Sequence, residues 1–352
     1  MLSRRKTKKR TAQRSFVRLV TLLALVAGCS SNPLDSAPPT IESAYPAQSP
    51  PVSQNPAGTV RPLAAHVAAT VFDDGTHQLA VLTPGAGPGA AASVAVFGPG
   101  QLAPRVIGLP GPATALTSDG HGTAYLAARG GYVVLDLTGG HTTQVNVADS
   151  AGVDFTAIAR RADGKLMLGS ADGAVYTVGA ASADTATVQN RTKVFARVDG
   201  LVTQGNTTVV LDRGQTSVTT IGADGRVAQS LRAGAGATTM AADPVGRVLV
   251  ADTRGDELLV YGVDPLILRQ AYPVRQAPYG LAGSRDLAWV SQTASNMVIG
   301  YDLSTGIPVE KVRYPTVQQP NSLAFDEASN TLYVVSGSGA GVQVIERAAG
   351  TR

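Results

Sequence analysis

The chain has 352 residues, 44% of them hydrophobic but only 5% aromatic, and its 29 lysines and arginines against 25 acids give a formal charge of +4. The basic excess is confined to the start: residues 1–28 hold eight of the 29 basic residues and no acid, leaving 21 against 25, a formal −4, for the rest. That balance argues against a nucleic-acid partner, and a lone cysteine, Cys29, excludes an internal disulfide framework.

Residues 1–28 have the layout of an export signal: Arg4, Arg5, Lys6, Lys8, Lys9 and Arg10 precede an apolar run from Leu19 to Gly28. Spanning a hydrocarbon core takes about 20 apolar residues, so this shorter run suits a signal h-region rather than a permanent helix. Val26-Ala27-Gly28-Cys29 closes it and resembles the lipobox of bacterial lipoproteins. Small residues before the cysteine let a signal peptidase reach the bond, and the Cys29 thiol takes a diacylglyceryl group. The expectation is cleavage before Cys29, a membrane partner through its lipid, and a place on the outer face of the cytoplasmic membrane. Arg4-Arg5 raises twin-arginine export, but Lys6-Thr7-Lys8 lacks that signal's apolar residues, favouring the general secretory route.

Residues 29–58 read as the lipidated cysteine and a flexible tether, with Pro33, Pro38, Pro39, Pro46, Pro50, Pro51 and Pro56 spread among Ser, Ala and Asn. In polyproline II form it would reach on the order of 80 Å.

Residues 59–352 read as one domain, and from His66 to the C-terminus one pattern recurs of short strand, Asp/Gly/Asn turn, apolar strand, Gly-rich turn and third strand. TALTSDGHGTAYLAARGGYVVLDL, TTMAADPVGRVLVADTRGDELLVYGV and NSLAFDEASNTLYVVSGSGAGVQVIE show it well. Equivalent first-strand positions are Val71, Leu116, Ile158, Val202, Met240, Leu281 and Leu323, 38 to 45 residues apart. A period near forty with four strands per unit predicts an all-β fold, a seven-bladed β-propeller. Second strands such as Val248-Leu249-Val250-Ala251 are continuous apolar runs, as strands buried on both faces require. Fourth strands are expected at Arg105 to Leu109, Lys193 to Arg197, Leu268 to Tyr272 and Val309 to Arg313. The last repeat ends at Glu346 without one, leaving an unpaired edge. Thr59 to Ala64 is expected to fill it.

The repeats resemble those of the YVTN and NHL group of β-propellers, Leu249-Val250-Ala251-Asp252 followed by Leu259-Val260-Tyr261 being closest. From the lipobox through RTKVFARVDGLVTQGNTTVVLDRGQTSVTTIGADG to GAGVQVIERAAGTR the chain resembles the LppL type of conserved mycobacterial lipoproteins. This resemblance implies a cell-envelope location and transfers no catalytic or binding residue.

Chemistry-bearing clusters are scarce. His66, His77, His121 and His141 fall in different repeats without metal-ligand spacing, and there is neither a GxSxG elbow nor a CxxC pair. Arg254-Gly255-Asp256 spells an adhesion tripeptide but occupies an expected turn, and Trp289 lies in an apolar run that suits core packing. No catalytic residue, metal ligand or cofactor is therefore assigned. In a propeller, the turns between second and third strands and the loops entering each first strand share one face around the channel. Here they supply Arg129, Asp172, Arg213, Arg254 and Gln292, and Asp154, Asp199, Tyr279 and Asn321. Loops on a rigid scaffold are where binding residues concentrate.

The leading expectation is a monomeric, non-enzymatic binding or scaffolding module for an envelope protein, peptide or glycan. The alternative is a metal-dependent, lactonase-like hydrolase with Asp154, Asp199 and Asn321 as oxygen ligands, weakened by the lack of an inner-strand glutamate. A cofactor-dependent dehydrogenase lacks the stacking tryptophans.

Overall fold

The computed structural model describes residues 38–87 and 89–350. The expected signal segment and the lipidation at Cys29 lie outside the described residues. Among the described residues there is no helix, and the strands form five four-stranded sheets and one eight-stranded sheet.

Four of the five four-stranded sheets are antiparallel meanders in chain order. The first runs Ala69–Asp73, Gln78–Thr83, Ser93–Phe97 and Arg105–Gly108, paired in chain order. Meanders over residues 200–232, 237–273 and 278–315 repeat it. The eight-stranded sheet is two such meanders, 115–147 and 155–193, whose outer strands join in parallel at Asn146 with Thr185 and Val147 with Ala186. In the last sheet, Pro320–Asp326, Thr331–Ser336 and Val342–Ile345 are completed by Thr59–Arg61, in register Thr59 with Val344, Val60 with Gln343 and Arg61 with Val342. The N-terminal strand thus covers the edge that the sequence left open, as expected.

Burial follows strand position. The second strands Leu166–Ser170 and Thr331–Ser336 are buried throughout, whereas the outer strand Val309–Pro315 is largely exposed. Apolar clusters fill the spaces between neighbouring meanders. Leu79, Val81 and Phe97 pack against Tyr333, Val335 and Val344, joining the first meander to the last, and Trp289 stacks on Phe325 of the following meander at 5.7 Å. Inner hydroxyls stitch neighbours together: Thr114 Oγ1 donates to the Phe155 carbonyl at 2.7 Å and Thr253 Oγ1 to that of Pro278 at 2.6 Å. This is an all-β propeller.

The repeated Asp ending a second strand has a local cause. The buried Asp252 carboxylate accepts from the amides of Ala235, Gly236 and Gly255 at 2.7, 2.7 and 2.9 Å, fastening the loop from the preceding meander to the next turn. A Cβ on Gly255 would meet Asp252 Oδ2 at 2.0 Å, so the turn requires glycine. Asp212 does the same for Ala196, Arg197 and Gln215.

Two expectations are corrected. The strand expected at Lys193 to Arg197 is instead Thr185–Lys193, because the preceding strand, Ala174–Ser182, runs nine residues before turning. Its polar alternation, Thr-Ala-Thr-Val-Gln-Asn-Arg-Thr-Lys, gave no apolar run to find. The segment expected as a free tether is not free from residue 38 to Gly58. It is extended and forms no strand before Thr59, but it lies along the turns of one face, with Ala44 and Ser49 buried. Proline-rich chain needs few donors of its own, so a surface offering side-chain donors to its carbonyls can hold it.

Candidate functional site

First strands from every meander line a common central cavity of about 350 Å³, with Thr70, Leu116, Ile158, Leu201, Met240, Leu281 and Leu323 among its walls. Four of the nine sequence-predicted site residues reach it: Asp199, Arg213, Tyr279 and Asn321.

Asp199 opens the first strand Gly200–Gln204 and accepts the Arg213 amide at Oδ2, 2.8 Å, while Arg197 Nε lies 3.1 Å from Oδ1. Burial raises its carboxyl above the usual range, outweighing the Arg213 amide and the charges of Arg197 and Arg213. Burial likewise raises the Tyr279 phenol, opposed only by Arg213. Asn321 Oδ1 accepts from Gln319 Nε2 at 3.0 Å. The cavity mouth therefore combines one guanidinium, a carboxyl that resists ionisation, a phenol and an amide, a set suited to hydrogen bonding.

The other five do not line the cavity. Arg129 and Asp154 pair with each other at 3.1 Å on the surface, their side chains 68% and 57% exposed. Asp172 meets Ser170 Oγ at 2.6 Å, Lys193 Nζ at 3.0 Å and Arg191 Nη2 at 3.5 Å. Burial opposes its ionisation, but the Ser170 hydroxyl and these cations prevail and hold its carboxyl below the usual range. Gln292 is buried and spans the Arg275 carbonyl at 2.6 Å and Arg313 at 3.1 Å, a packing role. Arg254 donates to the Ala235 carbonyl at 3.3 Å and to that of Glu42 at 2.7 Å.

Arg213 and Arg254 are thus not free cations of an open rim. Arg213 Nη2 donates to the Ala44 carbonyl, and its guanidinium sits 5.2 Å from the Tyr45 ring centre. The N-terminal segment lies on the face that the sequence singled out. Residues that sequence reasoning missed complete this contact: Thr293, Asn296, Gln318 and Gln319. The polar run Gln318-Gln319 ahead of Pro320-Asn321 was the available signal. Among the described residues, no group of three or more His, Cys, Asp and Glu is placed to hold a metal ion. Asp154 turns away to Arg129, so it does not share the cavity with Asp199 and Asn321.

No protein-family model matches the chain, and no curated protein sequence matches it. Solved structures do match in fold. A chain of the mitotic checkpoint complex is 11% identical, with 89% of this chain and 99% of that one covered and a TM-score of 0.68. Streptogramin B lyase is 10% identical over 83% and 97%, with a TM-score of 0.63. A chain of Kuenenia stuttgartiensis hydrazine synthase is 13% identical over 86% and 99%, with a TM-score of 0.64. These likenesses place the chain among β-propellers. At such identities they speak for the fold alone.

Proposed function

We propose that this chain is an exported lipoprotein, anchored by lipid on Cys29 to the outer face of the cytoplasmic membrane, whose seven-bladed propeller is a monomeric, non-enzymatic binding or scaffolding module for an envelope partner. The lipobox-like Val26-Ala27-Gly28-Cys29 supports the anchor, and the full-length resemblance to LppL-type mycobacterial lipoproteins supports the envelope setting. Seven repeats near forty residues support the blade count, as does counting the eight-stranded sheet as two blades beside five four-stranded ones.

The observation that carries the binding role is the convergence of Asp199, Arg213, Tyr279 and Asn321 on one cavity mouth, bordered by polar turns. Sites of this kind are concave and fixed by a few placed polar groups. The test replaces Asp199 by Asn, Tyr279 by Phe and Asn321 by Ala together, leaving Arg213 and Arg254, which hold the N-terminal segment, in place. A melting temperature within a few degrees of the unaltered chain and a changed set of cross-linked envelope partners support the reading; a retained fold with unchanged partners refutes it. Metal analysis of the purified domain separates the hydrolase alternative, which requires a stoichiometric divalent cation.

A further inference from the structure

The contact between residues 40–50 and the ring is made chiefly through the backbone of the strap. Ring side chains donate to five strap carbonyls, Arg254 to Glu42 at 2.7 Å, Arg213 to Ala44, Gln319 Nε2 to Ala47 at 2.9 Å, Gln318 Nε2 to Ser49 at 3.2 Å and Asn296 Nδ2 to Pro50 at 2.8 Å, while the strap amides of Ile41, Ala47 and Ser49 donate back to the Gly214 carbonyl at 2.8 Å, Thr293 Oγ1 at 3.1 Å and Gln319 Oε1 at 3.0 Å. Backbone carbonyls and amides are common to every peptide, so this row of partners by itself reads an extended backbone. Prolines suit it, because they supply acceptors and no donor that would need a partner.

Three side chains add selectivity. Ala44 is buried beside Gly236, whose lack of a side chain makes way for it: a Cβ added there would stand 2.7 Å from the Arg254 Cβ and 3.1 Å from the Ala44 Cβ. Tyr45 lays its ring against Arg213. Ser49 is buried, its hydroxyl donating to the Thr293 carbonyl at 2.6 Å and accepting the Gln319 amide at 3.0 Å. Arg213 both holds the strap and lines the central cavity, so strap and cavity share a wall.

We propose that this face is a groove for extended, proline-containing peptide segments of the pattern small-aromatic-Pro-x-x-Ser-Pro, and that residues 40–50 fill it in cis, so that an outside segment binds by displacing them. The inference rests on the reading of this face as the binding surface and names its ligand class. The strap runs directly into the strand Thr59–Arg61, which keeps it near the groove. A segment so tethered competes at an effective concentration of about millimolar. Outside segments therefore bind the intact chain weakly unless the strap is loosened.

The experiment uses the full chain and a fluorescent synthetic peptide with the sequence of residues 40–51. Wild type is compared with a strap-loosened variant, Ala44→Glu with Ser49→Ala, in which hydrogen exchange verifies that residues 41–49 have lost protection. The expected result is peptide binding at least about tenfold tighter to the loosened chain than to wild type. Adding Gln319→Ala and Asn296→Ala on the ring should reverse that gain. Equal affinity for both chains overturns the cis occupancy, and equal binding of a control peptide with its three prolines replaced by alanine overturns the proposed ligand pattern. No binding to a chain whose strap is demonstrably released overturns the groove. If rim cross-links to an envelope partner persist while the peptide fails, only the peptide groove is lost and the face keeps its binding role.

Discussion

Gln343 offers a sharp test of how the ring is closed. It is fully buried in the third strand of the last sheet, opposite Val60 of the N-terminal strand. Its Nε2 donates to the carbonyls of Ala57 at 2.8 Å and Pro315 at 3.0 Å, and its Oε1 accepts the Val317 amide at 3.0 Å. One side chain thus ties together the segment leading to the closing strand, the end of the preceding sheet and the loop into the last one. Gln343→Leu keeps the volume and removes all three bonds. The Pro315 carbonyl retains the Ala57 amide at 3.0 Å. The Val317 amide is left buried without an acceptor, at about 2 kcal/mol, and the half-buried Ala57 carbonyl loses about 1 kcal/mol before water replaces its partner. Burying leucine in place of an amide returns about 1 kcal/mol. The net expectation is a loss of about 2 kcal/mol. Equilibrium denaturation should show it as a lower midpoint with an unchanged slope, and hydrogen exchange should show faster opening at Val60. A change below about 0.5 kcal/mol would refute the assigned role.

Other expectations follow from the same contacts. Asp252→Ala strands three amides and should destabilise the domain by about 2 to 3 kcal/mol in the same assay, whereas Arg129→Ala, which breaks an exposed pair, should change stability by less than about 1 kcal/mol. Asp199 has a raised carboxyl pKa in the folded state, so the fold holds its proton more tightly than the unfolded chain does. Its favourable contribution is complete below the unfolded value of 3.8 and is lost as pH rises through the higher folded value. Asp199→Asn should therefore raise the melting temperature at pH 7 and leave it unchanged near pH 3; an equal effect at both would contradict the assignment. Cys29→Ala should leave uncleaved precursor or shed protein, because stable attachment needs more than one acyl chain; unchanged detergent-phase partitioning with normal processing sinks the anchor.

The propeller was legible because its cause is repetitive. Stacked sheets demand second strands buried on both faces, and that demand writes apolar runs such as Leu332-Tyr333-Val334-Val335 at a fixed spacing. The closing strand was legible for a similar reason, since a missing fourth strand leaves an edge that only residues before the first repeat can reach. Thr185–Lys193 escaped because an outer strand with one exposed face has no apolar run. The strap escaped for a different reason. Its hold on the ring comes mostly from backbone carbonyls and amides, which nearly every residue carries, so composition marked it as chain unable to build a core without revealing that it has a surface to lie on. Placing Arg213 and Arg254 on the right turns was possible, but what their guanidiniums hold depends on residues about 170 and 210 positions earlier.

The central claim, that envelope partners meet the face carrying the cavity mouth, is tested most directly by site-specific photo-cross-linking in cells. A photoreactive amino acid is placed singly at the exposed rim positions Arg129 and Asp172, and at Asp163 and Asp224 in turns at the opposite ends of their strands. The account predicts a reproducible, identifiable adduct from the rim positions and none from the opposite turns. The same adduct from Asp163 and Asp224, with none from Arg129 and Asp172, would contradict it.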